Sequence, residues 1–331
     1  MKRSMPFAML ASAGLVVSGC GGGAAAGDTY DWDFTITVSD ASTWYAGAER
    51  FAEILEDRSD GRIVVNIFAN EQLSGGDPAA GVEQLMNGDK AFSYNSTIIY
   101  SGIDERFAAI NAPFLYDSYE VADQAIADGG LDAYKELSRE VGVEMLGFGE
   151  SGFRQVTNSK TPIGAPDDLV GLKVRVPGSS LFLDIYSELG ADPVTMNFAE
   201  VFTSLQTGTI DGQENPFDVI HSNGLADVQE YLSVWNYVYD PLILGMNKDL
   251  YDSLSEEDRA LVDEAAEEAN ALQIDLNRER EAEQLAEFEE TMQVTELSPD
   301  QVNAFREALT PVREAHMDRW TEDLFQAVSP E

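Results

Sequence analysis

The chain has 331 residues, 44% of them hydrophobic, and its 60 acidic residues against 20 basic ones give a formal net charge of −40. Nucleic acids and anionic lipid surfaces repel so acidic a protein, which argues against binding to either. The same self-repulsion predicts a molecule that is stabilised by salt. Cys20 is the only cysteine, which excludes an intrachain disulfide.

The first 20 residues have the pattern of a bacterial lipoprotein signal peptide. Lys2 and Arg3 precede a short apolar run that ends in small residues before Cys20. The run is too short for a transmembrane helix, which needs about 20 apolar residues. Val17 to Cys20 resembles a lipobox, and this resemblance implies that Cys20 is lipidated and begins the mature protein. Residues 21–29 are then expected to be a flexible tether. Ordinary cleavage that releases a free periplasmic protein is the alternative.

The rest of the chain alternates predicted strands with predicted helices. Clusters of β-branched and aromatic residues favour strands, and apolar residues at helical spacing favour helices. In the first half, strands are predicted at 34–38, 62–68, 91–95 and 143–148, and helices around 51–55, at 82–86, at 118–128 and at 131–141. This alternation predicts an α/β fold with largely parallel sheets. In such sheets ligands bind beyond the carboxyl ends of the strands, where Ser39, Asn95 and Arg154 are predicted to lie.

The second half continues this alternation and then becomes almost wholly helical. Its predicted elements are a strand at 173–176, a helix capped by Asn197, a strand at 232–239, a break at Asp240 and Pro241, and extended structure at 242–246. From Ser255 to about Met292 the chain has few helix breakers, which predicts one unusually long helix. A further helix is predicted from Ser298 towards Phe325.

Arginine is scarce in this chain, and two arginines are candidates for binding an anion. The guanidinium groups of Arg154 and Arg175 could each donate two parallel hydrogen bonds to a carboxylate. A surface ion pair with one of the many acidic residues is the alternative for each. Asn215 precedes a proline, which favours extended geometry, and its amide could donate to an anion or cap a turn. Phe198 and Trp44 are by default core aromatics.

The sequence lacks the common motifs of enzymes and metal sites. It contains no Walker loop, no G-x-G-x-x-G after a strand, no H-E-x-x-H and no G-x-S-x-G. The two histidines, His221 and His316, lie far apart and have no nearby cysteine, which leaves a metal site and a catalytic triad unsupported. We therefore expect a binding protein that uses no cofactor and no metal.

Several motifs, in a fixed order and spacing, carry a resemblance to a known family. They are Gly152-Phe153-Arg154, Gly171-Leu172-Lys173-Val174-Arg175-Val176-Pro177, Leu189-Gly190-Ala191, Ala199-Glu200-Val201-Phe202 and Asp211-Gly212-Gln213-Glu214-Asn215-Pro216. With these motifs the chain resembles the substrate-binding proteins of tripartite ATP-independent periplasmic (TRAP) transporters, of the DctP type. The resemblance covers most of the mature chain.

The resemblance implies a two-lobed α/β fold of the periplasmic-binding-protein kind. A ligand cleft lies between the lobes, a hinge closes it, and a long C-terminal helix spans both lobes. Residues 30–150 with about 240–280 are expected to form the first lobe. Residues 151–239 with about 281–328 are expected to form the second.

The family pattern also implies roles for the candidate site residues. Arg175 matches the arginine that forms a two-pronged salt bridge with the ligand carboxylate, and Asn215 matches the asparagine that supports it. Arg154 matches an arginine that contacts ligand in part of the family, and Phe198 matches an aromatic pocket wall. At Glu150 relatives often carry an uncharged or different polar residue. Three residues fall where the family varies its specificity: Trp44, Asn95 and Ser96.

The implied function is capture of a small organic acid outside the cytoplasm and its delivery to an integral-membrane TRAP permease. C4-dicarboxylates, uronates and other small carboxylates are the candidate ligands. The protein is expected to touch the membrane only through a lipid on Cys20. A solute-binding protein of the ABC type and a secreted hydrolase are the alternatives. The combination of motifs at 173–177 and 211–216 argues against the ABC type.

Overall fold

The computed structural model describes residues 28–330. The predicted signal peptide at 1–20, the predicted lipidation site Cys20 and residues 21–27 of the predicted tether lie outside the described residues. Within residues 28–330, no helix is both long enough and apolar enough to cross a membrane.

Ten strands and thirteen helices alternate along the described chain. The strands are β1 (Tyr30–Ile36), β2 (Ile63–Phe68), β3 (Phe92–Ser96), β4 (Val143–Asn158), β5 (Lys173–Val176), β6 (Asp192–Thr195), β7 (Gly212–Pro216), β8 (Tyr231–Val234), β9 (Tyr239–Asn247) and β10 (Gln293–Glu296). The helices are α1 (Thr43–Arg58), α2 (Pro78–Asn87), α3 (Thr97–Ser101), α4 (Tyr119–Ala125), α5 (Leu131–Glu140), α6 (Ser180–Glu188), α7 (Val201–Gln206), α8 (Phe217–Ser222), α9 (Lys248–Ser253), α10 (Glu256–Thr291), α11 (Pro299–Ala308), α12 (Thr310–Trp320) and α13 (Glu322–Val328). This mixture confirms the predicted α/β class.

The strands divide into two groups that share β4. The main order is β2-β1-β3-β9-β4-β7-β5-β6, and β8 pairs with both β4 and β10. We call the half built on β1, β2, β3 and β9 the first lobe, and the half built on β5, β6, β7, β8 and β10 the second lobe. The pairs β1–β2, β1–β3, β5–β6 and β5–β7 are parallel, and β4 and β9 add antiparallel pairs where the chain crosses between the lobes.

Strand β4 is longer than the sequence predicts. It continues from the predicted end at Phe148 to Asn158, pairing with β9 as far as Phe153 and with β7 from Arg154 onward. Arg154 therefore lies inside a strand and not in the loop after one, which corrects the sequence interpretation. The glycines that follow Phe148 have low strand propensity, but pairing on the β9 side outweighs that preference.

The predicted break at Asp240 and Pro241 is wrong, because both residues lie within β9. Pro241 pairs with Glu150 beside an irregularity in the register between Glu150 and Gly152. A proline cannot donate to a ladder and is tolerated where a bulge interrupts the pairing. The two longest strands thus cross between the lobes with an irregular register at the crossing point.

The predicted long helix is present as the 36-residue α10, which measures about 54 Å at 1.5 Å per residue. Ser255 caps it by accepting a hydrogen bond from the backbone N–H of Asp258. Two glutamines of α10 donate hydrogen bonds to other elements: Gln273 to the backbone of β4, and Gln284 to the carboxylate of Asp218 in α8. The helix therefore contacts both lobes.

Two further local predictions need correction. The helix expected from Ser298 towards Phe325 is divided into α11, α12 and α13, with Thr321 at a positive φ of 65° between the last two. Asn197 precedes a 3-10 turn, Phe198–Glu200, but its side chain caps no helix. Its amide instead donates to Asp77 at 3.3 Å.

The largest apolar core connects the lobes. It extends from Leu85 and Phe107 through Phe182 to Trp235 and Trp320. A second core fills the space between the first-lobe strands, α1 and α10, and a third packs the second-lobe helices against α10. The boundaries predicted for the two lobes at residues 150 and 240 remain a prediction.

Candidate functional site

A cleft lies between the lobes at the carboxyl ends of β1, β3, β5 and β7. The first lobe contributes Thr37, Val38, Trp44, Ser96, Ile98, Ile99 and Asp240, and the second contributes Arg154, Arg175, Pro177, Phe198, Asn215 and Val219. This is the location at which open α/β sheets bind ligands. The predicted site residues Arg154, Arg175, Asn215, Phe198, Ser96 and Trp44 therefore converge on one cavity.

Arg175 is buried at the cavity wall and has no carboxylate partner within residues 28–330. Its Nε and Nη2 donate to the carbonyl oxygen of Met196 at 3.2 and 2.9 Å. The guanidinium also lies over the ring of Phe198, 5.6 Å from its centroid. These contacts hold the side chain in one orientation and leave Nη1 without an acceptor in the described chain.

The charge of Arg175 is poorly compensated in this arrangement. The residue is only 4% exposed, and burial lowers the pKa of its guanidinium to about 10. Glu214 opposes that decrease and the neighbouring charge of Arg154 adds to it. A buried cation without a partner is costly, and an anion that entered the cavity would lower that cost.

Arg154 differs from Arg175 because the protein itself supplies its counterions. Its Nε and Nη2 contact both carboxylate oxygens of Glu214 at 2.5 and 2.8 Å, and its Nη1 contacts Asp240 at 2.5 Å. Burial alone would lower the pKa of Arg154, but these two carboxylates raise it above its ordinary value. The predicted contact of Arg154 with the ligand remains a prediction, since most of its donors are already in use.

Asn215 forms side-chain hydrogen bonds with Arg154 and with Gln213. Its amide oxygen accepts from Arg154 Nη2 at 3.0 Å, and its amide nitrogen donates to Gln213 at 2.5 Å. The antiparallel register of β4 and β7 causes this proximity, because Gln155 pairs with Asn215 and Arg154 with Pro216. One amide hydrogen of Asn215 has no acceptor within the described residues and lies at the cavity wall.

The first-lobe candidates have different positions relative to the cavity. Trp44 and Ser96 line it, and the indole Nε1 of Trp44 is buried without an acceptor in the described part of the chain. Asn95 does not line it. Its amide oxygen accepts from Thr37, and its amide nitrogen donates to Glu71 at 2.9 Å. Asn95 therefore supports Thr37, which does line the cavity.

Glu150 lies outside the cavity and is fully buried. Its carboxylate accepts from Arg278 Nη2 at 2.6 Å and from the hydroxyl of Tyr239 at 3.0 Å, while its backbone bonds to Gln273. Burial raises the pKa of Glu150, and the charge of Arg278 opposes that increase. Glu150 thus joins α10 to the crossing point of β4 and β9.

The sequence interpretation missed Asp240, which lines the cavity beside Ser96 and Arg154. It is fully buried and accepts from Ser96 Oγ at 2.5 Å. Burial raises the pKa of Asp240 to about 6, against the opposing charge of Arg154. One signal could have identified it: a single acidic residue within the apolar run Tyr237 to Leu244, since unpaired acids are rarely buried.

The cleft is closed in this structure, and several hydrogen bonds connect its two walls. The hydroxyl of Ser39 donates to the carbonyl of Ser222 at 2.7 Å, the backbone N–H of Thr43 donates to the carboxylate of Asp218 at 3.1 and 3.3 Å, and Asn197 donates to Asp77. Asp218 thus accepts from the first turn of α1, where the helix dipole favours negative charge. Among residues 28–330, no group of three His, Cys, Asp or Glu side chains is arranged to hold a metal ion.

Comparison with known families agrees with this geometry. The family model DctP, described as bacterial extracellular solute-binding protein, family 7, matches residues 34–319. The chain belongs to this family. Membership confirms the predicted resemblance, and at the level of the family it indicates a binding protein and not an enzyme.

Individual DctP-type relatives are similar over most of the chain. The 2,3-diketo-L-gulonate-binding periplasmic protein YiaO of Escherichia coli (strain K12) is 32% identical over 238 residues, 72% of this chain and 72% of that protein. A TRAP periplasmic solute-binding protein from Ralstonia eutropha H16 with bound (S)-2-acetolactate has a TM-score of 0.87 and 31% identity, covering 90% of this chain and 97% of its own. Another from Shewanella oneidensis with bound succinate has a TM-score of 0.85 and 27% identity, covering 91% and 98%. These structures confirm the two-lobed fold.

Proposed function

We propose that this DctP-type protein captures a small organic acid by pairing the ligand carboxylate with Arg175. The observation that carries the proposal is a buried guanidinium at a cavity wall with no carboxylate partner within residues 28–330. A desolvated guanidinium and a carboxylate form strong charge-assisted hydrogen bonds. The ligands named for the relatives, which include a gulonate, an acetolactate and a succinate, support a carboxylate as the shared ligand group.

Closure of the cleft completes the binding step in this proposal. The acid enters between separated lobes, Arg175 binds its carboxylate, and the first-lobe wall with Trp44 and Ser96 encloses the remainder. The hydrogen bonds from Ser39 and Thr43 to the second lobe then stabilise the closed form. Ligand that contacts both walls binds the closed form better, and this shifts the population towards closure. The chain performs no chemistry on the acid.

The closed protein would dock on integral-membrane TRAP permease subunits outside the cytoplasm, held near the membrane by a lipid on Cys20. Membrane fractionation tests the anchor. A Cys20→Ser variant should move from the membrane to the soluble fraction, and mass spectrometry should detect the lipid on the protein that keeps Cys20. If the protein that keeps Cys20 is itself soluble, ordinary cleavage is supported instead.

A thermal-shift screen of small organic acids tests the binding proposal. An acid at about 100 times its Kd should stabilise the protein by about 2.7 kcal/mol. The Arg175→Ala variant should not respond. An Arg50→Ala variant, which removes an arginine whose side chain is 40% exposed on α1, should respond like the unmodified protein. The acid should be recovered unchanged. An equal response from Arg175→Ala, or no response to any acid, would overturn the proposal.

A further inference from the structure

We propose that the cavity selects monocarboxylates with a neutral tail over dicarboxylates, and that Asp240 is the residue that discriminates between them. This inference rests on the proposed function, because it describes the part of the ligand that Arg175 does not hold. Three independent features of the cavity support it: the sum of its buried charges, the hydrogen-bond donors on its first-lobe wall, and its apolar lining.

The buried charges of the cavity cancel before any ligand enters. Arg154 and Arg175 contribute two positive charges, and Glu214 and Asp240, both bonded to Arg154, contribute two negative charges. One carboxylate of a ligand therefore finds a cation in Arg175. A second carboxylate would find a cation, Arg154, that already has two carboxylate partners, and it would lie in one small enclosure with Asp240. Two negative charges that share one small, buried cavity repel each other strongly.

The first-lobe wall offers few hydrogen-bond donors to a second carboxylate. The hydroxyl of Thr37 donates to Asn95, and the hydroxyl of Ser96 donates to Asp240. Each hydroxyl has a single hydrogen, so these side chains can only accept from a ligand. The indole N–H of Trp44 is the remaining side-chain donor on this wall within the described chain. A carboxylate needs several donors when it is buried, whereas one donor suits a keto or hydroxyl oxygen.

The rest of the cavity lining is apolar, with Val38, Ile98, Ile99, Pro177, Phe198 and Val219 around the polar groups. This surface favours methyl and methylene groups of a ligand. The carboxylate of Asp240 keeps acceptor capacity beyond its bonds to Ser96 and Arg154, because two oxygens offer about four lone-pair sites. A ligand hydroxyl could donate to it. The chemistry of the wall thus describes a monocarboxylate with a keto, hydroxyl or alkyl tail.

Isothermal titration calorimetry with two matched pairs of acids tests the selection. Succinate and 4-oxopentanoate have the same number of heavy atoms and differ in that a methyl group replaces one carboxylate oxygen. Galactarate and galactonate differ only at one terminal carbon. The monocarboxylate of a pair should bind at least about tenfold more tightly, which is ~1.4 kcal/mol. The Asp240→Asn variant should reduce the ratio of the two dissociation constants by about threefold or more, since it removes the negative charge of the side chain and keeps its shape.

An Asp249→Asn variant is the matched control, because it changes the net charge equally at a side chain that is 96% exposed. Its selectivity ratio should equal that of the unmodified protein. A dicarboxylate that binds as tightly as its monocarboxylate partner would overturn the inference and leave the proposed function intact. Absence of binding by all four acids would also count against the inference. An Arg175-dependent acid found in the thermal-shift screen would then show that the proposed function still stands. If Asp240→Asn does not fold, the two ratios of the unmodified protein decide the question.

Discussion

Replacement of Arg175 by methionine is expected to weaken ligand binding at least about a hundredfold while changing the free energy of unfolding of the empty protein by no more than about 2 kcal/mol. Methionine keeps an unbranched apolar stem but removes the guanidinium. Every hydrogen bond of that guanidinium within residues 28–330 goes to the carbonyl oxygen of Met196. The substitution therefore leaves no buried carboxylate without its cation.

The magnitude follows from the charge that Arg175 carries in the empty cavity. Burial lowers the pKa of Arg175 to about 10, and at about 1.36 kcal/mol per pKa unit the buried charge destabilises the empty protein by about 3 kcal/mol. The substitution removes this penalty. It also leaves the carbonyl oxygen of Met196 without its hydrogen-bond donors, which costs about 1 to 3 kcal/mol and offsets the gain. The free energy of unfolding should therefore change by no more than about 2 kcal/mol. Ligand affinity should fall by about 3 kcal/mol or more, roughly a hundredfold.

Arg154→Met is the matched comparison, because the same substitution is made at the neighbouring arginine. It removes the cation between Glu214 and Asp240 and leaves both carboxylates buried without it. Breaking a buried pair in this way usually costs about 3 to 5 kcal/mol. The two variants should thus differ in urea unfolding of the empty protein by several kcal/mol, although each loses one guanidinium.

Urea unfolding of protein freed of copurified ligand measures the free energy of unfolding. Calorimetry with the acid that binds most tightly in the screen measures the ligand affinity. Destabilisation of Arg175→Met as strong as that of Arg154→Met would contradict this prediction. That outcome would assign Arg175 a structural role. Unchanged affinity in Arg175→Met would refute it equally.

Three other perturbations follow from the structure. Burial raises the pKa of Glu281 to about 7, with Glu150 adding to the increase and Tyr119 and Arg278 opposing it. The folded protein therefore keeps a proton that the unfolded chain releases, and roughly 2 to 3 kcal/mol of stability should be lost as the pH rises from 4.5 through 7. Glu281→Gln should reduce this pH dependence in urea unfolding at several pH values, and an unchanged pH dependence would contradict the assignment. Gly152 has φ 102°, and an added Cβ would lie 3.0 Å from the hydroxyl of Tyr119. Gly152→Ala should therefore lower the free energy of unfolding by about 1 to 3 kcal/mol, whereas Gly178→Ala, with nothing within 4 Å, should be nearly neutral; equal effects would contradict the strain. With a net charge of −40, the melting temperature should rise between about 0.1 M and about 1 M NaCl as the screening length falls from about 10 to about 3 Å, and a lower melting temperature at high salt would contradict this.

The elements that sequence patterns predict well are those with local causes. The capped, breaker-poor segment from Ser255 to Met292 forms a helix for reasons contained within it. The strand ends at Arg175 and Asn215 converge because neighbouring parallel strands place their carboxyl ends at one edge of the sheet. Both the α/β class and part of the candidate cavity could therefore be predicted from the sequence alone.

The elements that the sequence did not reveal depend on partners distant in the chain. Gly149 and Gly152 disfavour a strand locally, yet β4 continues through them because β9 supplies the pairing. The same pairing holds Pro241 inside β9. The different roles of Arg154 and Arg175 follow from the location of Asp240, 86 residues beyond Arg154 in the chain. No local pattern distinguishes a guanidinium with two counterions from one with none.

The net charge and the cavity charge act on a ligand over different distances, and this separates the rate of association from the rate of dissociation. A charge of −40 repels an anion far from the protein, but salt screens that repulsion beyond about 10 Å at 0.1 M. The contact with Arg175 is buried and is screened much less. The association rate of 4-oxopentanoate should therefore rise roughly severalfold between about 0.01 and about 0.15 M NaCl while its dissociation rate stays nearly constant. Stopped-flow fluorescence can follow both rates through Trp44, which lines the cavity. An association rate that falls with salt would mean that the cationic cavity, and not the acidic surface, dominates the field along the approach.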